Sequence, residues 1–287
     1  MLALGIVAAV GASILYNTSI ALQALEARDV SHEHSLRISL IGKLLRNRKW
    51  LGATVLGLLG WPLEIVALLL APLTVVQPCL VSGLIVLLWL GATRLGEAPG
   101  RREFLAVAAI VAGVAGVAWA APDRTTDHAG TVAIAIALGL VAIPIAAPYL
   151  LRGRAAGAGF LVVLSAGFGY AWTAIASKLL TDELAAGTLL VAVGWLVTAL
   201  ASEGLALLSE MSALQHRPAT HVAPGMFAVQ VLVPVILAPL IFEEKWSTTP
   251  LDGAVLVAFM AVALAGTTLL AGSKVVGAVL ESAHAGD

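Results

Sequence analysis

Residues 64–78 read EIVALLLAPLTVVQP, and residues 210–224 read EMSALQHRPATHVAP. At a constant offset of 146 positions, both stretches place Glu, Pro, Thr and Pro at matching positions, and Glu97 likewise matches Glu243. An Ala-, Leu- and Val-rich chain rarely supplies matches of these residue types by chance. The pattern therefore predicts an internal repeat.

The composition is that of a membrane protein. Of 287 residues, 60% are hydrophobic and only 11% are charged, whereas soluble domains carry roughly 25% charged residues. This excludes a soluble globule, a disordered chain and a nucleic-acid binder. The single cysteine, Cys79, excludes an internal disulfide framework and a cysteine-based zinc cluster. The sequence has neither a P-loop nor a Gly-x-Ser-x-Gly elbow, so it predicts no enzyme and no cofactor.

Nine runs of about 20 mostly apolar residues are long enough to cross a bilayer as helices. They are apolar on all sides, which favours helices over strands that alternate polar and apolar residues. We therefore predict an all-α polytopic fold of about nine transmembrane helices. The runs are 2–26, 50–71, 73–94, 102–121, 131–151, 158–178, 186–209, 219–242 and 252–272.

The positive charges between these runs predict the orientation. With nine spans, thirteen Lys and Arg residues fall on one side and only three, Arg124, Lys178 and Lys245, on the other. Because cytoplasmic loops are rich in Lys and Arg, we expect the N-terminus outside and the C-terminus in the cytoplasm. The predicted location is the cytoplasmic, or plasma, membrane.

The repeat divides the predicted spans into two units of four helices. The first is 1–121, with a cytoplasmic loop at 28–49; the second is 157–272, followed by a cytoplasmic tail at 273–287. A linker helix at 131–151 separates them, so the second unit enters the membrane from the opposite face. Such inverted repeats are typical of secondary transporters, which bind substrate near the midplane between the halves.

Three segments of the chain resemble the drug/metabolite transporter superfamily. They are residues 60–78, the helix ending Leu95-Gly-Glu97, and the helix ending Ile241-Phe-Glu-Glu244-Lys-Trp246. The nine-span layout is most similar to its NIPA-like magnesium transporter branch. That branch has an acidic residue directly after the glycine equivalent to Gly60, where this chain has Trp61. The resemblance therefore implies a transporter more strongly than it implies any one substrate.

Three glutamates in the predicted spans, Glu64, Glu203 and Glu210, are candidate coupling residues, because a carboxyl group in hydrocarbon is costly. A buried carboxyl group holds its proton more tightly than in water, and can exchange it near neutral pH. Two structural alternatives stay open: Glu203 paired with a buried donor, and Glu210 as an interfacial acid. Glu97, Glu243 and Glu244 end predicted spans near the membrane interfaces, and we expect them to be solvated or fold-determining.

Amide and aromatic side chains complete the candidate site. They are Asn17, Gln77, Gln230, Tyr16, Trp61 and Tyr170, with Trp172 as a further possible wall of an apolar pocket. Amides bind a substrate or hydrate a cation, and aromatic rings stack on a cation. The alternative for the amides is interhelical hydrogen bonding, worth about 0.6 kcal/mol on average.

Three functions remain in competition. The first is a proton-coupled secondary transporter of a small metabolite or amphipathic compound, by alternating access between inverted repeats. The second is a NIPA-like magnesium or divalent-cation permease, with Glu64, Asn17 and Gln77 as oxygen donors. The third is a lipid-translocating or scaffold membrane protein. The expected partners are a small-molecule or ion substrate and membrane lipids, with no nucleic acid, and the chain is expected to be a monomer or homodimer.

Overall fold

The structure, a computed structural model, describes residues 1–28, 46–86, 88–89, 100–151, 158–216 and 219–271. Within these ranges the chain is helical and contains no strand. Seven of the described helical segments are long and apolar enough to cross a membrane, as expected for a polytopic helical membrane protein. Two more apolar helices are shorter, at Leu73–Val86 and Gly225–Ile241.

Ten α-helices follow one another along the described chain. They are α1 (Leu2–Arg28), α2 (Arg48–Leu58), α3 (Gly60–Leu70), α4 (Leu73–Val81), α5 (Arg101–Trp119), α6 (Thr131–Leu150), α7 (Ala158–Ala186), α8 (Leu189–His216), α9 (Ala219–Ile241) and α10 (Ala254–Ala271). Two 3₁₀ turns, Trp246–Thr248 and Pro250–Gly253, precede α10.

The predicted span at 50–71 is interrupted near its middle. Helices α2 and α3 meet at Leu59, and together they form the candidate span Arg48–Leu70. Pro62 follows three residues after this junction. Because proline has no backbone N–H, the carbonyl group of Leu58 has no i+4 donor, which explains why the helix breaks here.

Helix packing brings α1 against α2 and α3, α7 against α6, α8 and α9, and α5 against α10. Small residues permit the closest approaches. A Cβ atom added at Gly113 in α5 would lie 2.6 Å from the Cβ atom of Ala263 in α10, too close for two carbon atoms. Neighbouring helices in membranes commonly use small residues in this way.

The prediction that the sixth span ends at residue 178 is wrong. Helix α7 continues to Ala186, and Lys178 lies inside the candidate span Phe160–Ala186 with a fully buried side chain. A buried ion pair with Asp182, one helical turn later, compensates the charge, which hydropathy alone does not reveal. Lys178 therefore does not belong to the loop charges that predict orientation.

The predicted span at 73–94 is interrupted too, because α4 ends at Val81 and a turn follows at Ser82 and Gly83. The remaining boundaries differ by up to seven residues or lie outside the described ranges. Helix α10 begins at Ala254, because Leu251 and Asp252 adopt positive φ values that end the preceding turn. Most of the predicted loop at 28–49, Glu97 and the predicted tail at 273–287 lie outside the described residues.

Candidate functional site

A cavity of about 170 Å³ lies between α1, α2, α3, α4, α7, α8 and α9. Its walls are mostly apolar, but polar side chains enter from several helices. The lining residues are Tyr16, Asn17, Ser19, Gln23, Thr54, Gly57, Leu58, Trp61, Glu64, Gln77, Leu80, Tyr170, Thr173, Ala174, Leu200, Glu203, Leu207, Phe227 and Gln230. A concave, largely apolar site with a few convergent polar groups is typical of small-molecule binding.

Two tyrosines each donate a hydrogen bond to a buried glutamate on a neighbouring helix. The hydroxyl group of Tyr16 in α1 donates to Oε2 of Glu64 in α3 over 2.6 Å. In the same way, Tyr170 in α7 donates to Oε2 of Glu210 in α8. Both glutamates are buried. These hydrogen bonds fix the orientation of two carboxyl groups that water hardly reaches.

Glu203 in α8 is the third carboxyl group of the site. It lines the cavity, is half-buried, and lies close enough to Glu64 and Glu210 to interact with both electrostatically. The described lining residues include no Lys, Arg or His. The cavity therefore combines acidic groups with no basic side chain among the described residues that line it.

Two amides leave polar atoms without protein partners. The side chain of Gln77 in α4 is fully buried, and neither its Oε1 nor its Nε2 has a hydrogen-bond partner among the described residues. Asn17 in α1 donates from Nδ2 to the carbonyl oxygen of Ser13 over 2.9 Å, while its Oδ1 has no described partner. Both residues line the cavity. Gln230, in α9, lines it as well and is half-buried.

Aromatic side chains form part of the apolar wall. Trp61 in α3 donates from Nε1 to Oγ of Ser177 in α7 over 3.3 Å, which holds its ring at the cavity. Phe227 in α9 lines the cavity too. The other proposed wall residue, Trp172, is not among the lining residues, because it lies two positions from Tyr170 and so on another face of α7.

Apart from Trp172, eight of the nine candidate site residues chosen from the sequence therefore line one cavity. The ninth, Glu210, lies directly behind the wall, bonded to Tyr170. Glu210 is 1% exposed, so its carboxyl group is buried within the protein. Ser19, Thr54 and Thr173 line the cavity without having been predicted. Thr173 follows Tyr170 by three positions in α7, a spacing that places both on one helix face.

A second polar cluster lies beyond Glu64, towards the C-terminal end of α3. Nζ of Lys178 and Oδ2 of Asp182 are 2.6 Å apart, and Nη2 of Arg124 is 2.7 Å from Oδ1 of Asp182. Arg124 also donates from Nε to the carbonyl oxygen of Leu68, and Lys178 to that of Thr125. The cluster joins α3, α7 and the segment between α5 and α6, and its members do not line the cavity.

Glu244, which follows the end of α9, is buried rather than solvated. It is 2% exposed, and its Oε1 accepts a 2.9 Å hydrogen bond from the backbone N–H of Leu73. Its Oε2 accepts a hydrogen bond from the hydroxyl group of Thr74. Glu244 thus caps the N-terminus of α4 from a distant part of the chain. Burial raises the pKa of Glu244, and the hydrogen bonds from Thr74 and Leu73 oppose the rise.

Among the residues that the structure describes, no group of three or more His, Cys, Asp or Glu side chains is placed to hold a metal ion. The oxygen atoms of Glu64, Asn17 and Gln77 do share the cavity. Comparison with known proteins found no matching family model, no matching curated protein and no matching solved structure.

Proposed function

We propose that this chain is a proton-coupled secondary transporter that carries a small metabolite or amphipathic compound across the cytoplasmic membrane. The observation that carries the proposal is the acidic cavity: Glu64 and Glu203 line it, Glu210 lies behind it, and no described lining residue is basic. Acidic side chains within membrane spans are costly, and they commonly mark substrate or proton pathways.

The charges of the cavity give a physical basis for exchange. Neighbouring carboxyl groups in a medium of low dielectric constant repel one another when they are ionised. The three glutamates of the site therefore do not all lose their protons at once. A bound cation relieves this repulsion and permits the release of a proton. Substrate and proton then compete for the same carboxyl groups, which is the requirement for antiport.

The two tyrosine–glutamate pairs support alternating access between inverted repeats. In each pair the tyrosine belongs to one helix, α1 or α7, and the glutamate to a helix packed against it, α3 or α8. Glu64 and Glu210 are also the first residues of the two stretches that match at an offset of 146 positions. The proposal includes nine spans, four in each unit and one linker, with the N-terminus outside.

Such a fold and mechanism also agree with the resemblance to the drug/metabolite transporter superfamily. The resemblance concerns the segments at 60–78 and 241–246 and the order of the spans. Since one superfamily can transport chemically different substrates, the substrate class must be argued from the cavity itself.

The test uses purified protein in liposomes that contain a pH-sensitive dye. A proton gradient is imposed, and a panel of metabolites, cationic drugs and magnesium is added. We expect one substrate class to drive proton flux in the wild type, and Glu64→Gln or Glu203→Gln to abolish that flux. The matched control is Glu183→Gln, because Glu183 lies near the end of α7 and outside the cavity lining. Unchanged coupling in both cavity variants would overturn the proposal.

A second candidate is a magnesium or divalent-cation permease. The observation that favours it is the shared location of three oxygen donors, Glu64, Asn17 and Gln77. Magnesium keeps several of its water ligands and often needs only one or two protein carboxylates. In the same liposomes, magnesium flux without proton movement would support this function, and Glu64 would then be a ligand of the hydrated ion.

A further inference from the structure

Among the described residues that line the cavity, Gln77 is the one whose two amide atoms are both buried without a hydrogen-bond partner. Its side chain is fully buried, it lines the cavity, and both polar atoms of its amide lack a partner among the described residues. Nearly all buried polar groups in proteins are hydrogen-bonded, and an unsatisfied group needs an explanation. A ligand that both accepts a hydrogen bond from Nε2 and donates one to Oε1 would satisfy this amide.

Asn17 and the carboxyl groups define the rest of the recognition pattern. Asn17 uses its Nδ2 within the protein and leaves Oδ1 as an acceptor. Glu203 and Glu64 supply further acceptors and negative charge. Tyr16 of α1, Glu64 of α3 and Tyr170 of α7 face Glu203 from packed helices, and Glu210 lies on its own helix, α8. Thr173 of α7 interacts with its carboxyl group, and none of these groups is basic.

These groups together select among cations. A primary ammonium group has N–H donors for Asn17 and the carboxylates, whereas a quaternary ammonium group has none. Neither a quaternary ammonium ion nor a bare metal ion offers an acceptor to Nε2 of Gln77. An anionic ligand is disfavoured by the carboxyl groups. The apolar wall, with Trp61 and Phe227, accommodates a hydrocarbon or aromatic body.

We propose that the cavity binds a small protonated amine that also carries a hydroxyl group, and that Gln77 selects for the oxygen of this hydroxyl group. The inference rests on the proposed transport function and adds the substrate class. In this arrangement the ammonium group lies at Glu203 and Asn17, the oxygen accepts from Gln77, and the apolar body lies along the aromatic wall.

The experiment uses two probes that differ by one hydroxyl group, 2-amino-1-phenylethanol and 2-phenylethylamine. Binding to the purified protein is measured by calorimetry, and proton flux is measured in liposomes. We expect the wild type to bind the hydroxylated amine about tenfold more tightly, because a polar site left unpaired penalises the analogue that lacks the hydroxyl group. The N,N,N-trimethyl derivative of 2-phenylethylamine should bind more weakly than either.

The variant Gln77→Met keeps the approximate size of the side chain and removes the amide. We expect it to reduce the preference between the two amines to about one, while 2-phenylethylamine still binds. The control is Thr267→Val in α10, a buried polar residue outside the cavity lining, which should keep the wild-type preference. An equal preference in the wild type and in Gln77→Met would overturn the role of Gln77.

The wild-type comparison keeps the inference falsifiable even if Gln77→Met does not fold. Equal binding of the two amines, or tighter binding of the trimethyl derivative, would overturn the substrate class. If no amine moves protons but another member of the panel does so through Glu203, the substrate class fails and the transport function stands. If no compound moves protons, the transport function itself fails.

Discussion

The hydroxyl group of Tyr16 donates a 2.6 Å hydrogen bond to Oε2 of Glu64, from α1 to α3. This contact depends on the absence of a side chain one helical turn before Glu64. A Cβ atom added at Gly60 would lie 2.8 Å from Cε1 of Tyr16, so the ring occupies the space that a larger residue would fill. Gly60 thus permits the phenol ring to reach the carboxyl group.

We therefore expect Gly60→Ala to displace Tyr16 from Glu64. Overpacking of this kind costs about 1–3 kcal/mol, and the thermal unfolding temperature in detergent should fall accordingly. Gly52→Ala is the matched control, because its added Cβ atom would meet nothing within 4 Å beyond its own helical turn, and alanine favours a helix. A Gly60→Ala protein as stable as Gly52→Ala would contradict the close contact.

Tyr16→Phe should remove the hydrogen bond and leave Glu64 without its phenolic donor. A buried acceptor that loses its partner costs about 1–3 kcal/mol, and the pH dependence of transport should change because Glu64 lines the cavity. Tyr149→Phe is the matched control, since Tyr149 lies outside the cavity lining and its hydroxyl group contacts Oγ of Ser209. The same pH profile in both variants would argue against a role for the Tyr16–Glu64 pair in coupling.

The buried pair of Lys178 and Asp182 predicts a strong non-additive effect. Lys178→Met removes one of the two ion pairs that the described residues form with the buried carboxylate of Asp182 and leaves the pair with Arg124. We expect it to destabilise the protein by about 3 kcal/mol. The double variant Lys178→Met/Asp182→Asn removes the buried ammonium group and the buried carboxylate together. The double variant should recover about 1–3 kcal/mol relative to the sum of the single variants. Additive losses of unfolding temperature would show that the two charges do not interact.

Glu244 predicts a pH-dependent stability with a definite sign. Burial raises its pKa above the ordinary value of 4.5 in the folded protein. The native state then binds more protons than the unfolded state, so the stabilisation is complete below about pH 4.5 and is lost as pH rises through the folded-state pKa. Relative to Glu244→Gln, the wild type should lose unfolding temperature as the pH rises from 4.5. A constant difference between the two proteins would contradict this linkage.

A further consequence concerns the cap itself. Glu244→Ala removes both acceptors from the first turn of α4, and the loss of a helix cap costs about 0.5–2 kcal/mol. Thr74→Val removes only the hydroxyl donor and should cost less. In detergent we expect the wild type to have the highest thermal unfolding temperature, Thr74→Val a lower one and Glu244→Ala the lowest. The reverse order of the two variants would show that the backbone N–H of Leu73 does not need its cap.

Sequence patterns identified the polar residues of the cavity because intramembrane glutamates and amides stand out against apolar surroundings. Glu64, Glu203 and Gln77 could be selected in this way before their neighbours were known. Their hydrogen-bond partners could not be predicted from the sequence. The pairing of Tyr16 with Glu64, and of Glu244 with Leu73, depends on how distant helices pack. The sequence alone assigns Lys178 to a loop for the same reason. Asp182 can be identified as its buried partner only when both residues are known to lie on one buried turn of α7.

The cluster of Arg124, Lys178 and Asp182 holds three parts of the chain together, with Lys178 and Asp182 removed from water and Arg124 20% exposed. If these parts separate, water hydrates the exposed ammonium and carboxylate groups, and this hydration offsets much of the lost attraction. Dissolved salt screens the separated charges far more effectively than the buried ones. High ionic strength should therefore favour the separation of α3, α7 and the segment between α5 and α6 at this cluster. No charge of the cavity takes part in this effect.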